Sequence, residues 1–292
     1  MKQYNCTVCG RLFLSDREAY AHVYKDHQEI AKEINPQILI RPAEDVDHSI
    51  WGTGQGIREL IREGMHYLEE SDYIKALKAY EKAIEIEPKE LLAWLGKGLA
   101  FRLMGKYQEA LEAVEKAIET APHDAIGWQV KGTTLRLMGK YQEALEACEK
   151  SIEFDAKNAL GWEEKGSTLF FMGKHQESLE AYEKAIEIDL KRPLAWYGKG
   201  RAFYGLCRYQ EGLEAVEKAI ESNPQDAYAW YGKGQCLFHL RNYLEALEAF
   251  KKTIELNPKY ADAWRARSFA LNAIGRYQEA QEALKKASEL DT

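Results

Sequence analysis

Long apolar runs are missing from this sequence. No stretch of about 18 apolar residues could cross a lipid bilayer, and residues 1–6 lack the apolar core of a signal peptide. An excess of either charge is missing as well, because 40 basic and 47 acidic residues are mixed along the chain and leave a net charge of -7. No global field therefore favours nucleic acid or an anionic membrane. We expect a soluble, cytoplasmic protein without membrane contact.

Cysteine is scarce, with 5 residues in 292. Cys148, Cys207 and Cys236 lie far apart and lack the spacing of a disulfide framework, which suits a reducing compartment. Catalytic signals are also few. Cys236 and His239 stand three positions apart, but no third group or phosphate-binding glycine loop accompanies them. The sequence therefore predicts a protein that is not an enzyme.

Tryptophan, in contrast, recurs with a strict period. Six tryptophans are spaced by 34 residues without insertion or deletion. A glycine stands four residues after each of the first five, and a small residue stands sixteen residues after all six. A period this strict indicates an array of repeats. The six are Trp94, Trp128, Trp162, Trp196, Trp230 and Trp264.

The apolar spacing inside each period is helical and is broken at turns such as the one near Gly105. Each period is thus predicted to form a hairpin of two helices, from 91 to about 104 and from 107 to about 120 in the first complete example. A further period begins at Ile57, where Leu60 replaces the tryptophan.

With these motifs, residues 57–292 resemble the tetratricopeptide repeat (TPR) family. The resemblance implies an all-α fold, a right-handed superhelical solenoid of seven 34-residue helical hairpins. In the last repeat, Gln281 and Ser288 replace the Leu and Ile of the other six, which predicts a polar end to the array. The repeats are 57–90, 91–124, 125–158, 159–192, 193–226, 227–260 and 261–292.

In TPR proteins the first helix of each hairpin lines the concave face, and positions two, five, nine and twelve of each repeat point into it. The resemblance therefore implies a groove for an apolar or aromatic peptide or helix segment, with Arg201 holding a carboxylate or a backbone carbonyl. TPR modules that bind acidic chaperone tails carry Lys and Asn at positions five and nine of their opening helix, where this sequence has Ile61 and Met65. The candidate groove residues are Leu92, Leu95, Leu99, Arg102, Ile126, Arg136, Phe170, Tyr197, Arg201, Tyr204, Tyr228, Tyr231 and Phe238.

Residues 1–30 carry a second signature. Two residues separate Cys6 from Cys9, twelve separate Cys9 from His22, and four separate His22 from His27. This spacing is typical of a structural zinc site and resembles a two-Cys-two-His zinc finger. The resemblance implies a small ββα domain in which these four residues bind one structural Zn²⁺ per chain. Basic and acidic residues balance in this segment, so it has no electrostatic footprint for nucleic acid.

Residues 31–56 are predicted to be a linker. Pro36 and Pro42 interrupt helical structure, and the glycine-rich residues 52–56 indicate a flexible hinge. Apolar residues 38–40 and Trp51 are expected to pack on the first repeat. The alternative is that this segment occupies a groove in its own or a neighbouring molecule.

These features predict a non-enzymatic protein-protein interaction scaffold, in which the zinc finger caps the solenoid or supplies a second contact. Two alternatives stay open. The protein could be an RNA- or ribosome-associated adaptor that contacts nucleic acid through the finger, or a structural solenoid that associates with itself. The sequence leaves the oligomeric state and the identity of the partner open.

Overall fold

Three short strands precede the helical part of the chain. The computed structural model describes residues 4–6, 12–13, 40–42 and 53–291. Strand β1 (Tyr4–Cys6) pairs antiparallel with β2 (Leu12–Phe13) and with β3 (Ile40–Pro42), so the sheet order is β2-β1-β3. Tyr4 lies opposite Phe13 on one side and opposite Pro42 on the other. Strand β3 comes from the segment that the sequence assigned to a linker.

From Thr53 onward the described chain is helical, which confirms the all-α prediction for the repeats. The chain divides into two compact units, Met1–Ala156 and Lys157–Thr292, and each is described by itself. The N-terminal unit contains α1 (Thr53–Glu69), α2 (Tyr73–Ile86), α3 (Leu91–Leu103), α4 (Tyr107–Thr120), α5 (Ala125–Leu137) and α6 (Tyr141–Phe154). The C-terminal unit contains α7 (Ala159–Phe171), α8 (His175–Ile188), α9 (Pro193–Gly205), α10 (Tyr209–Ser222), α11 (Ala227–His239), α12 (Tyr243–Leu256), α13 (Ala261–Ala273) and α14 (Tyr277–Leu290).

Polar side chains start several of the first helices. The Asp124 carboxylate accepts hydrogen bonds from the backbone N–H groups of Ile126 and Gly127, at 3.0 and 3.1 Å. Asn158 caps α7 in the same way, and Asp226 caps α11 through the single N–H group of Tyr228. Each cap satisfies N–H groups that have no partner inside the helix and contributes about 1 kcal/mol.

A left-handed residue ends the first helix of each hairpin. Glycine fills this position at Gly105, Gly139, Gly173 and Gly275, with φ between 74° and 79°. Ser71, Cys207 and Arg241 adopt the same conformation with φ of 60°, 59° and 64°, although a side chain makes it unfavourable. The tight turn is therefore imposed by hairpin packing even where the sequence does not supply glycine.

The hinge predicted at residues 52–56 is wrong from residue 53 on, because α1 begins at Thr53. Ile57, Ile61 and Met65 follow at helical spacing and are all buried, with exposures of 8, 4 and 3%. Packing of this apolar stripe stabilises the helix more than the glycines of its first turn weaken it.

Glycines of the first helices make room for large side chains of the second helices. Tyr182, on α8, is 3% exposed and packs between Gly166 of α7 and Gly198 of α9. A Cβ built at Gly198 would lie closer than 3.0 Å to the Tyr182 ring. Tyr80 of the first repeat packs between Gly64 and Gly96 in the same way, whereas in the second repeat Val114 takes the place of the tyrosine and the position equivalent to Gly198 is Val130. Both tyrosines thus face glycine on the next first helix, whereas valine lies beside valine at Val130 and beside glycine at Gly232.

The periodic tryptophans are structural. The Trp196 indole N–H donates to the Leu190 carbonyl at 2.9 Å. Lys199 Nζ lies 5.6 Å from the Trp196 ring centre and 2.8 Å from a carboxylate oxygen of Glu183 in the preceding repeat. The same arrangement of Trp, Lys and Glu recurs at Trp94 with Lys97 and Glu81, Trp128 with Lys131 and Glu115, and Trp230 with Lys233 and Glu217.

Candidate functional site

Aromatic side chains cluster on and beside the first helices of the C-terminal unit. The predicted groove residues of α7, α9 and α11 lie here, together with four residues that the sequence did not assign to the groove, Tyr209, His239, Tyr260 and Phe269. We call this set the aromatic surface. It consists of Phe170, Tyr197, Arg201, Tyr204, Tyr209, Tyr228, Tyr231, Phe238, His239, Tyr260 and Phe269.

Arg201 is the cation of the aromatic surface. Its guanidinium carbon lies 4.0 Å from the ring centre of Phe170 and 5.7 Å from that of Tyr197, within the range of cation-π attraction. In the part of the chain that the structure describes, no carboxylate forms an ion pair with it. Other arginines of this unit do bond carboxylates, namely Arg192 with Glu163, Arg208 with Glu211, Arg265 with Asp262 and Asp291, and Arg276 with Glu279.

A hydrogen-bonded aromatic group stands at the end of α9. Tyr204 Oη lies 2.9 Å from His239 Nε2, and either atom can donate, depending on the tautomer of the imidazole. Tyr209 stacks on the His239 ring, with the ring centres 4.6 Å apart and the planes at 15°. These contacts join α9, α10 and α11 and fix the position of Tyr204.

Tyrosines form the middle of the aromatic surface. Tyr260 contacts Tyr231 and Tyr228, with ring centres 4.9 and 5.4 Å apart. Burial raises the pKa of Tyr197 and of Tyr231 to about 12, and it raises the pKa of Tyr260 as well. Their hydroxyls are therefore uncharged at neutral pH and available as hydrogen-bond donors and acceptors. Tyr228 is the outermost, with 54% of its surface exposed.

A cleft opens between α9, α11 and α13. Its volume is about 250 Å³, below the range of roughly 300–1,000 Å³ that is common for sites of small molecules and cofactors. The cleft therefore suits one inserted side chain better than a free metabolite. It is lined by Tyr204, Tyr231, Gln235, Phe238, His239, Phe250, Asp262, Arg265, Ala266 and Phe269.

A larger cleft of about 420 Å³ lies between α7 and α8. Trp162 and Leu169 form its apolar part. The rest is long charged side chains, among them Glu180 and Lys184, which are exposed. Such side chains are hydrated and give no specific recognition, so this cleft is not part of the candidate site.

The predicted groove residues of the N-terminal unit have a different role. Leu92, Leu95 and Leu99 are only 7, 3 and 5% exposed, because they pack in the core between hairpins. They offer a partner almost no surface, and the structure removes them from the candidate site. Arg102, Ile126 and Arg136 are half-buried.

Nucleophilic chemistry at Cys236 has no support in the geometry. The residue is 1% exposed, and burial raises the pKa of its thiol to about 12, whereas a reactive cysteine has a lowered pKa. His239, three positions later, bonds Tyr204. Within the described residues, no group of three or more His, Cys, Asp and Glu side chains could hold a metal ion.

Of the four predicted zinc ligands, only Cys6 lies among the described residues, at the end of β1. Cys9, His22 and His27 lie outside them. The predicted zinc site is therefore untested.

Comparison with protein families agrees with the helical hairpins. One tetratricopeptide repeat model matches residues 61–125, 104–159 and 202–261, a second matches 237–292, and a third matches 160–192. The chain belongs to the tetratricopeptide repeat family. A comparison with curated protein sequences gives no match. No helix in residues 53–291 of this TPR protein is both long enough and apolar enough to cross a membrane.

Solved structures share the TPR fold. A chain of the APC/C hetero-tetramer Cut9-Hcn1 is 17% identical with a TM-score of 0.69, and the match covers 76% of this chain and 44% of that one. A TPR protein from Parabacteroides merdae is 18% identical, with a TM-score of 0.63 and coverage of 82 and 94%. PilF of Pseudomonas aeruginosa is also 18% identical, with a TM-score of 0.61 and coverage of 71 and 94%. The TPR chain thus spans less than half of the Cut9-Hcn1 chain, and these similarities concern the fold alone.

Sequence reasoning missed three residues of the aromatic surface for different reasons. Tyr209 occupies a position where most repeats of this TPR chain have tyrosine, so it looked like a packing residue. Tyr260 precedes α13 and therefore lies outside the helical positions that the family uses. Phe269 does stand at position nine of the last repeat, and the same transfer of positions would have found it.

Proposed function

We propose that this protein is a non-enzymatic interaction scaffold that binds a segment of a partner protein on the aromatic surface. The observation that carries the proposal is the concentration of tyrosine, phenylalanine and arginine on one face of the C-terminal unit, with Tyr228 and Phe269 more than half exposed. Tyrosine and arginine dominate binding hot spots because they combine a large contact area with polar groups. Membership of the TPR family supports a protein or peptide partner.

The proposed test separates binding from stability by choosing exposed residues. The Tyr197 ring packs closely against α11, since a Cβ added at Gly232 would lie 3.3 Å from the ring. Truncating Tyr197 would therefore disturb packing as well as binding. Tyr228 and Phe269 are better probes, with exposures of 54 and 59%. The control is Leu244→Ala, which removes an apolar side chain that is 68% exposed on α12.

Partners are isolated from lysate by crosslinking to the parent protein, identified by mass spectrometry, and titrated by calorimetry as purified proteins. Tyr228→Ala and Phe269→Ala should each weaken the binding of a genuine partner by about 2 kcal/mol, if they act as hot spots. Leu244→Ala should leave it unchanged. Equal binding of all four proteins would place the partner site elsewhere and contradict the proposal.

We also propose that Cys6, Cys9, His22 and His27 bind one structural Zn²⁺. Two thiolates and two imidazoles are a donor set that zinc takes in tetrahedral geometry. The antiparallel pairing of β1 with β2 supports the proposal, because β1 ends three residues before Cys9 and β2 begins three residues after it, and a turn between paired strands would bring Cys6 and Cys9 close together. Metal analysis of protein purified without chelator should find one zinc per chain, and Cys9→Ser should lose it. An unchanged zinc content in that variant would refute the site.

A further inference from the structure

We infer that the partner segment carries an acidic side chain whose carboxylate binds Arg201, while an aromatic or aliphatic side chain of the same segment enters the cleft between α9, α11 and α13. This inference rests on the proposed function and states the chemistry of the partner. It is drawn from three features of the C-terminal unit: the absence of an ion-pair partner for Arg201 among the described residues, the position of Arg201 one helical turn from a wall of the cleft, and the aromatic side chains on either side of Arg201.

Arg201 is held in place but not neutralised. Phe170 lies 4.0 Å from its guanidinium carbon and Phe171 lies 5.6 Å from it, so the planar group is oriented by aromatic faces. No acid among the described residues pairs with it. A partner that covers this surface removes water from the charge, and a buried charge without a counter-charge is costly. A carboxylate meets this need and can bond the guanidinium through two parallel hydrogen bonds, whereas a backbone carbonyl supplies no charge.

The cleft lies immediately beside this charge. Tyr204 follows Arg201 by three positions on α9, which places the two on the same side of the helix, and Tyr204 forms one wall of the cleft. An extended segment advances about 3.3 Å per residue. The acidic residue and the inserted apolar residue are therefore separated by about two to four positions in the partner.

Other walls of the cleft decide which side chain enters. Phe238 and Phe269 provide apolar contact, and Arg265 forms ion pairs with Asp262 and Asp291. Because these acids are already paired, the cleft has no free negative charge for a basic side chain. An aromatic or aliphatic side chain is thus the occupant that fits.

The carboxylate belongs to a side chain within the segment and not to a chain end. Phe170 and Phe171 flank Arg201 on the α7 side, and the cleft flanks it toward α11 and α13. A segment that ends at Arg201 would leave one of these aromatic regions uncovered. A segment that continues in both directions covers both.

The test uses random dodecapeptides displayed on phage as internal segments, so that no free C-terminus is present, and selects them on the full-length protein. The enriched peptides should place Asp or Glu two to four positions from Phe, Tyr, Trp or Leu. A synthetic version, acetylated and amidated, is then titrated against the parent protein, Arg201→Gln and the control Arg276→Gln. Arg276 bonds Glu279 on the surface and lies outside the aromatic surface.

We expect Arg201→Gln to weaken binding of this peptide about tenfold or more, which is the range for a hydrogen bond between charged groups. Replacing the acidic residue of the peptide by the corresponding amide, Asn or Gln, should weaken binding to the parent by a similar factor. The same replacement should have little effect on binding to the Arg201→Gln variant. Arg276→Gln should bind like the parent.

Other results would contradict either this inference or the proposed function. Peptides that need Tyr228 and Phe269 but lack an acid, or that bind Arg201→Gln as tightly as the parent, overturn this inference and leave the proposed function intact. Binding that appears only when the peptide has a free C-terminal carboxylate also overturns it. If the selected peptides are insensitive to Tyr228→Ala and Phe269→Ala, the proposed function itself fails.

Discussion

Replacing Gly198 by alanine tests the packing rule of the array directly. The added Cβ would meet the ring of Tyr182 at a distance that real Cβ atoms do not show, since it is closer than 3.0 Å and ordinary contact begins at 3.4 Å. The ring cannot turn outward without loss, because Tyr182 is 3% exposed and its hydroxyl lies 2.9 Å from Ser167 Oγ. The substitution must therefore displace either the ring or α9.

Three contributions determine how much Gly198→Ala changes the free energy of unfolding. Forcing an extra methyl group into a packed core costs about 1–3 kcal/mol, and leaving a buried hydroxyl without its partner costs about 1–3 kcal/mol more. Alanine favours the helix over glycine by about 1 kcal/mol and offsets part of this. We expect Gly198→Ala to lower the free energy of unfolding by about 2–3 kcal/mol.

The assay is urea unfolding of the full chain, followed by circular dichroism, with hydrogen exchange of α8 and α9 as the local measurement, because arrays of repeats need not unfold in a single step. Amides of α8 and α9 should exchange faster in the variant. Gly56→Ala is the matched control. A Cβ there meets nothing within 4 Å, so this variant should be as stable as the parent or slightly more stable.

A second substitution isolates the cause. Val114 and Val216 occupy the position of Tyr182 in two other repeats, so Tyr182→Val is a change that the fold accepts. In that background Gly198→Ala should cost less than 1 kcal/mol, a coupling of about 2 kcal/mol between neighbours. An equal cost of Gly198→Ala in both backgrounds, or no cost in the parent, would refute the reasoning.

Three further predictions concern single positions. Arg241→Gly should stabilise the protein by about 1 kcal/mol in urea unfolding, because it relieves a left-handed residue at φ 64°. Gly212→Ala should be unfavourable in the parent, where the Cβ would meet Cys236 Sγ at 3.1 Å and the Gly200 carbonyl oxygen at 3.2 Å, and it should cost less together with Cys236→Ala, which removes the first contact; melting of the four proteins checks this. Tyr197 and Tyr231 have a raised pKa in the folded state, so their contribution to stability is complete below the ordinary value of 10.0 and is lost as the pH rises toward about 12. Residue-specific NMR titration of these two rings in the folded protein should therefore show ionisation only near pH 12, and ionisation of either ring at pH 10 in the folded protein would contradict this.

The hairpins could be predicted because their residues recur. The expected helices from 91 to about 104 and from 107 to about 120 are observed as Leu91–Leu103 and Tyr107–Thr120. Tryptophan, glycine and small residues hold the same packing positions in successive repeats, so each repeat adds evidence for the others. The start of α1 was missed because glycines at 54 and 56 indicated a hinge, and the buried stripe that follows outweighs them.

The candidate site was predictable only in part. A position in the TPR pattern predicts which way a side chain points, but it does not predict how exposed that side chain is. Position five points the same way in each repeat, yet it is Leu95 in one, 3% exposed, and half-buried Tyr231 in another. The difference depends on the volume of neighbouring side chains, which a single sequence does not give. Leu95 packs in a cluster with Val114 and Val130.

The residues that differ between repeats also support the proposal that the aromatic surface binds a partner. Where packing dictates the residue, as at the tryptophans and their Lys–Glu partners, neighbouring repeats carry the same residue. At position nine, the last four repeats carry Ser167, Arg201, Gln235 and Phe269, which differ in size, charge and polarity. A partner of fixed chemistry does require such differences, because each repeat meets a different part of it. Exchanging Arg201 and Gln235 would keep composition and helix content, and it should still abolish recognition of the acidic segment, since the charge would stand beside the wrong aromatic neighbours.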